Sequence, residues 1–246
     1  MERDAALEAV FMPVRTASTF EETVERLGSA IRIGLLAPGD KLPPERELAG
    51  RLAISRSTLR QALTALVQSG HLVSTRGRSG GTFVAEQPPL TEHADEPLDQ
   101  GAWAVLERRL AIELGATQLA AERGSGAQFD RLEELAERMA AAVENFEEYR
   151  RADVRFHIGL AEAAQSPRLV SEMTDVQAQM SDLIALIAHP PEVLTRSNEQ
   201  HGWLIAALRK GDAPLALRQM REHTEGTEHI LAGLLPAPLR LSPLAG

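Results

Sequence analysis

The chain has 246 residues, 43% apolar and 25% charged, with 35 acidic against 26 basic side chains and a formal net charge of −9 at pH 7. That is the composition of an ordinary soluble globular protein; it excludes the collagen-like and disordered classes, and the length suits two domains better than one. Cysteine is absent, which excludes zinc ribbons, thiolate catalysis and disulfide frameworks, fits a reducing compartment, and leaves His, Asp and Glu as the only builders of a metal site. The longest apolar runs, such as Leu183 to Ala188, fall far short of the roughly 18 residues of a membrane span. The first thirty residues carry acids where a signal peptide would be basic and then apolar. The expected location is therefore the cytoplasm, with no membrane partner.

Residues 1–13 read as a lead-in without pattern. From Thr19, apolar residues at Val24, Leu27, Ile31 and Leu35 recur at three- and four-residue spacing and predict a helix, ended by Gly34 and the Pro38-Gly39-Asp40 turn. Pro43-Pro44 open a second helix over Glu45 to Arg51 with Leu48 and Leu52 inward. Ala53-Ile54-Ser55 breaks it, and Ser55 caps a third helix running to about Gln68, with Leu59, Leu63 and Leu66 buried and Gly70 closing it. The period then changes: Leu72 to Thr75 and Thr82 to Ala85 are β-type runs joined by a basic, glycine-rich tip, Arg76 to Gly81. Three short helices followed by a hairpin predict a winged helix-turn-helix over 14–86. Residues 87–100, rich in proline and acid, read as a linker. Beyond it only helical stripes occur, over about 101–123, 127–147, 148–165, 167–188, 191–209 and 212–233. The fold expected is mainly α, with an all-helical bundle of six or seven helices over 101–235 and a tail over 236–246.

Charge is distributed unevenly along this plan. Between Arg46 and Ala85 stand six arginines and the single acid Glu47, whereas the remainder carries 20 basic and 34 acidic residues. A basic module inside an acidic protein is the electrostatic footprint of a DNA-facing domain joined to a soluble partner. In a helix-turn-helix the start of the recognition helix enters the major groove, and here Ser55, Arg56, Ser57, Thr58 and Arg60 supply groups for phosphates and base edges. Arg56 and Arg60 lie four apart, on the face opposite Leu59, Leu63 and Leu66. Arg46 is placed to brace the duplex backbone, and Gly77 lets the wing, with Arg76 and Arg78, approach closely. A lone charge run is usually a solvated surface; it is the joint occurrence on this frame that points to double-stranded DNA.

A second constellation lies in the C-terminal half. Asp153 and His157 are spaced i, i+4 on a helical stretch, which puts both side chains on one face. His201 and His223, on later helices, could complete an Asp/His/His/His set for a divalent ion such as Zn²⁺, Ni²⁺ or Mn²⁺. From spacing alone a surface pair or a satisfied core histidine is the commoner outcome. His71, His93, His189 and His229 have no such partners.

Both constellations carry a family likeness. Gly39-Asp40-Lys41-Leu42-Pro43-Pro44-Glu45-Arg46-Glu47-Leu48-Ala49, Ser55 through Leu63, Gly70-His71-Leu72 and Arg76 through Val84 together resemble the DNA-binding domain of the GntR family of bacterial regulators, with Pro44 where serine or alanine is common. The resemblance implies DNA contacts at Arg46, Arg56, Arg60 and Gly77. Leu106 through Glu113, Asp153-Val154-Arg155-Phe156-His157, Gln200-His201, Gly211-Asp212-Ala213 and Met220-Arg221-Glu222-His223 look like the FadR-type ligand-binding domain, with Ser166 where asparagine is usual. That likeness implies an ion held by Asp153, His157, His201 and His223, and an acidic effector engaged by Arg109. The expectation is a transcription regulator, a homodimer on a short palindromic operator, acting as a repressor relieved by a small carboxylate-bearing effector. It is not expected to be an enzyme. The alternatives are the same regulator sensing a fatty-acyl ligand without metal, and a metal-dependent hydrolase, for which no well-placed general base is visible.

Overall fold

The structure, a computed structural model, describes residues 10–11, 13, 19–32, 34–77, 80–89 and 100–234. Most of the expected lead-in and linker, the whole C-terminal tail, His93, and Arg78 with Ser79 at the hairpin tip lie outside the described residues. The chain forms two compact units, one of Met1–Leu98 with Leu186–Glu192 and Glu228–Gly246, the other of Asp99–Ala185 with Val193–Thr227. The described residues are mainly helical, with nine helices and one two-stranded sheet. No helix among them is long and apolar enough to cross a membrane.

In the first unit α1 (Thr19–Arg32) buries Val24, Leu27 and Ile31 of the stripe its spacing predicts, with Phe20 buried besides. It stops sooner than that stripe suggests, at Arg32, and the buried leucine of the following turn is Leu36, not Leu35. The reason is the turn: the Gly34 N–H donates to the Ile31 carbonyl and the Leu36 N–H to that of Ala30, which rotates Leu36 inward. Helix α2 (Glu45–Leu52) follows Pro44, and Ala53, in the left-handed region at φ 56°, ends it. Helix α3 (Arg56–Gln68) is capped by the Ser55 hydroxyl, which accepts the Thr58 N–H at 3.0 Å. Strands β1 (Leu72–Thr75) and β2 (Gly81–Val84) pair antiparallel, Leu72 opposite Val84 and Thr75 opposite Gly81, so β2 begins and ends one residue earlier than expected. Leu48, Leu52, Leu59, Leu66 and Leu72 are among the most deeply buried side chains, and they close a small core under α1.

The second unit consists of α4 (Gln100–Arg123), α5 (Gly126–Ala141), α6 (Phe146–Ala163), α7 (Pro167–Ile184), most of α8 (Pro191–Arg209) and all but the end of α9 (Ala213–Leu234). Its core includes Leu132, Met139, Phe156, Leu160, Met173, Val176, Leu204 and Met220. The break expected at 147–148 falls instead at 142–145, where Asn145 caps α6 by accepting the Glu148 N–H at 3.2 Å. Without glycine or proline that break is not punctuated in the sequence. Helix α7 likewise ends at Ile184, short of the expected 188. Ser166 caps α7 through the Leu169 N–H.

The last turns of α9 belong to the first unit and cross α1 on two glycines. A Cβ on Gly28 would lie 2.1 Å from the Gly233 carbonyl oxygen, and one on Gly233 would lie 2.7 Å from the Glu25 Cα. Arg32 Nη1 donates to the Ala232 carbonyl at 2.7 Å, and His229 Nδ1 pairs with Glu25. Because the obstacle is backbone, Gly28→Ala forces the helices apart. It should cost at least the roughly 1–3 kcal/mol typical of overpacking, read as a lowered urea midpoint. The hydrogen bond to Glu25, with the charges of Glu25, Glu228 and Glu22, raises the His229 pKa against the opposing effect of burial. A raised histidine pKa stabilises the fold below its ordinary value and loses that contribution as pH rises through the elevated one. His229→Gln should therefore flatten the pH dependence of stability in that window, as followed by thermal melts from pH 5 to 9.

Candidate metal centre and nucleic-acid interface

Three helices deliver the second unit's polar core. Helix α6 carries Asp153 and His157 one turn apart, α8 carries His201 and α9 carries His223, and all four are buried. Ligand-capable nitrogens of the three histidines lie within 4.8 Å of one another. Asp153 Oδ1 is 3.8 Å from His157 Nε2 and 3.7 Å from His201 Nε2. The four residues that the sequence singled out as ligands thus converge in one cluster.

A chain of hydrogen bonds surrounds them. Asp153 Oδ2 accepts from Arg150 Nη1. The same guanidinium donates to Ser181 Oγ and, at 3.0 Å each, to the Gln177 carbonyl and Gln177 Oε1. Gln177 Nε2 in turn donates to Glu113 Oε1 at 2.8 Å, and so does Arg109 Nε at 3.0 Å. Glu113 Oε2 faces His157 Nδ1 at 3.3 Å. Arg109 Nη2 then reaches His223 Nε2 at 3.0 Å, and His223 Nδ1 meets Gln200 Oε1 at 3.1 Å. Glu113, Arg150, Gln177 and Gln200 were not singled out as site residues from the sequence. The spacings Arg109/Glu113 and Arg150/Asp153 were visible there, yet such helical pairs are usually superficial, and only packing reveals that these are buried.

The field inside this core is set by desolvation and by the two guanidinium groups. Burial alone would raise the Glu113 carboxyl, but Arg109 and His157 outweigh it and hold the pKa at about 2. Asp153 is likewise held low, by Arg150 above all, against the upward push of burial. Burial drives His201 down to about 3 despite the nearby Asp153 charge, and it takes His223 well below the ordinary histidine value, where His201 and Arg109 push the same way. His201 and His223 are therefore neutral imidazoles at pH 7, the form that ligates metals. Both ring nitrogens of His201 and Nε2 of His157 are buried without a hydrogen-bond partner, while His157 Nδ1 has only Glu113 Oε2 within reach. Unpaired polar nitrogens, one donor and one acceptor on each neutral imidazole, cost free energy in a dry interior unless something fills them. Nitrogen and carboxylate donors without sulfur suit a divalent ion, so the residues present fit one. One further orphan, Arg109 Nη1, stands beside them.

In the first unit the described residues proposed from sequence for DNA are exposed, except for the half-buried Thr58. Ser55, Arg56, Ser57 and Arg60 are exposed on α3, while Leu59, Leu63 and Leu66 of the same helix are buried. Ser55 also caps its helix, with its oxygen 2.7 Å from Ser57 Oγ and 2.8 Å from Thr58 Oγ1. Arg60 Nη2 pairs with Glu45 at 3.0 Å, linking α3 to the start of α2, where Arg46 is exposed. On the hairpin Arg76 is exposed and Gly77 adopts φ 111°, a conformation that favours glycine; Arg78 lies outside the described residues. Lys41, part of the motif quoted above but not among the residues expected to meet DNA, is exposed nearby. Its Nζ donates to the Gly80 carbonyl at 2.8 Å and lies 5.3 Å above the Phe83 ring, at the root of the wing. Its signal in the sequence was weak, because it lies outside the arginine-rich stretch.

Residues 19–84 match the family model described as bacterial regulatory proteins, gntR family, and residues 104–226 match the FCD domain. The chain is 36% identical, over 81% of its length and 75% of the relative's, to a protein described as the HTH-type transcriptional regulator RmpR of Mycobacterium gastri. It is 34% identical, over 82% of each chain, to one described as the L-lactate dehydrogenase operon regulatory protein of Escherichia coli. Among solved structures, Escherichia coli McbR/YncC is similar at 24% identity and a TM-score of 0.49, covering 88% of this chain and 98% of that one. The named relatives are regulators of transcription, not enzymes.

Glu113 is the counter-charge of Arg109 in a region water does not reach. Glu113→Leu leaves that guanidinium unpaired and should destabilise the protein by about 3–5 kcal/mol, measured as a loss in urea unfolding free energy.

Proposed function

The chain belongs to the gntR family of bacterial regulatory proteins, and on that premise we propose that a divalent ion in its FCD domain makes operator binding responsive to a small carboxylate. It is a DNA-binding transcription regulator, and its FCD domain is the effector-binding part. In our reading residues 14–86 bind the operator and residues 101–235 bind the effector. The ion, Zn²⁺ foremost with Ni²⁺ and Mn²⁺ as the chemical alternatives, is held by Asp153, His157, His201 and His223. The observation that carries this reading is the cluster of buried, unpartnered imidazole nitrogens around Asp153 Oδ1.

Charge supports the choice of effector. Arg109, Arg150, Glu113 and Asp153 balance one another, so a divalent ion leaves a surplus of positive charge that an anion would offset. Arg109 Nη1, buried and unpartnered, is a donor for that anion. The name of the Escherichia coli relative ties it to an L-lactate dehydrogenase operon, which fits a small acid better than a fatty-acyl chain; the polar lining of the cluster argues the same way. We propose further that the protein is a homodimer acting as a repressor, with one α3 per operator half-site and Arg46, Ser55, Arg56, Ser57, Thr58, Arg60, Arg76, Gly77 and Arg78 toward the duplex.

Metal analysis of the purified protein should find about one divalent ion per chain, lost in His201→Ala; a folded wild-type protein that takes up no ion after soaking overturns the metal reading. Arg56→Ala and Arg60→Ala should each weaken operator binding and reduce the salt slope by about one unit where a phosphate contact is removed. Fluorescence anisotropy across a salt series measures both, and unchanged affinity and slope in the two variants would remove α3 from the interface.

A further inference from the structure

The hydrogen bond between Arg109 and His223 has a consequence for ion uptake, given the metal reading above on which it rests. A guanidinium only donates, so its 3.0 Å contact makes His223 Nε2 the acceptor, with the lone pair outward. The ring hydrogen then sits on Nδ1 and donates to Gln200 Oε1 at 3.1 Å. His223 is therefore in the tautomer that ligates through Nε2, and the lone pair needed for ligation is already engaged by Arg109. By contrast, neither Nε2 of His157 nor Nε2 of His201 has a hydrogen-bond partner.

Occupation by the guanidinium and by an ion is mutually exclusive at this nitrogen. A zinc–imidazole bond is about 2.0–2.1 Å long, directed along the same lone pair on which Arg109 Nη2 lies at 3.0 Å. An ion on His223 Nε2 would fall within about an ångström of that N–H group, and two positive charges in a buried site repel strongly as well. We propose that Arg109 is the resident cation of the site in its metal-free state, and that its guanidinium has to leave His223 before a divalent ion is bound. Arg109 need not leave the site to do so. Its Nε stays anchored on Glu113 Oε1 at 3.0 Å. Withdrawing Nη2 frees a second N–H group beside the already unpartnered Nη1, and two such groups form the fork that grips a carboxylate in bidentate fashion. Uptake of the cation thereby creates the anion subsite, so the order of binding is cation first, anion second.

The test is the affinity for Zn²⁺ alone, measured on the full chain stripped by chelator and titrated in competition with a chromophoric chelator, for wild type, Arg109→Gln and Arg109→Lys. Arg109→Gln should bind Zn²⁺ about tenfold more tightly than wild type, within the span usual for coupling between two ligands of one site, even though its metal-free melting temperature falls because Glu113 loses its partner. A merely structural role for Arg109 predicts the opposite sign, weaker binding by a loosened fold. Arg109→Lys keeps a positive charge beside Glu113 but withdraws the outer nitrogens from His223. It should fold like wild type and bind Zn²⁺ more tightly by a smaller factor, which keeps the test decisive if the glutamine variant fails to fold. Zn²⁺ affinity equal to or below wild type in the lysine variant overturns the proposal while leaving the metal site intact. Absence of Zn²⁺ binding in folded wild type and variants alike overturns the metal reading itself.

Discussion

Two cations and two anions inside an apolar helical core set the terms for everything else in the second unit. Charges removed from water are tolerated only when each finds an opposite charge and filled hydrogen-bond valences. Arg109 with Glu113 and Arg150 with Asp153 meet that condition, and Gln177 joins the two pairs by donating to Glu113 and accepting from Arg150. The histidines are the exception, because nitrogens of His157 and His201 remain without partners in the same interior. Around them pack Phe156, Met173, Val176 and Leu204 of the apolar core.

The first unit solves a different problem. Arg46, Arg56, Arg60 and Arg76 stay in water, and what is buried beneath them is a small aliphatic core assembled from α1, α2, α3 and the hairpin. Exposed pairs such as Arg60 with Glu45 contribute little to stability, so these charges remain available to a polyanion at small cost. Their positions are fixed by local devices: the Ser55 cap, the left-handed Ala53 and the turn at Gly77.

Those local devices explain why so much was legible in the chain itself. Helix α3 with its cap, the proline start of α2 and the two strands follow from residue types acting within a few positions of one another, and their observed bounds fall within about a residue of those expected. Where punctuation is missing, legibility fails. The α5–α6 break rests on Asn145 capping a backbone that glycine and proline do not mark, and the choice of Leu36 over Leu35 rests on two hydrogen bonds in a turn.

What the sequence determined by itself was the inventory and its periodicity: a basic helix-turn-helix with a wing, a helical half, and four potential ligands, two of them one turn apart on a single helix. What only the tertiary structure decided was which charges lie in water and which do not. Arg109/Glu113 has the same four-residue spacing as the exposed pair Glu147/Arg151, and Arg150/Asp153 is only one residue closer. Nothing in three or four residues of separation distinguishes them, because burial is conferred by helices distant along the chain. The convergence of His201 and His223 on Asp153, and the engagement of the His223 lone pair by Arg109, likewise arise from α4, α6, α8 and α9 packing together, an outcome of shape complementarity among whole helices and not of any local pattern.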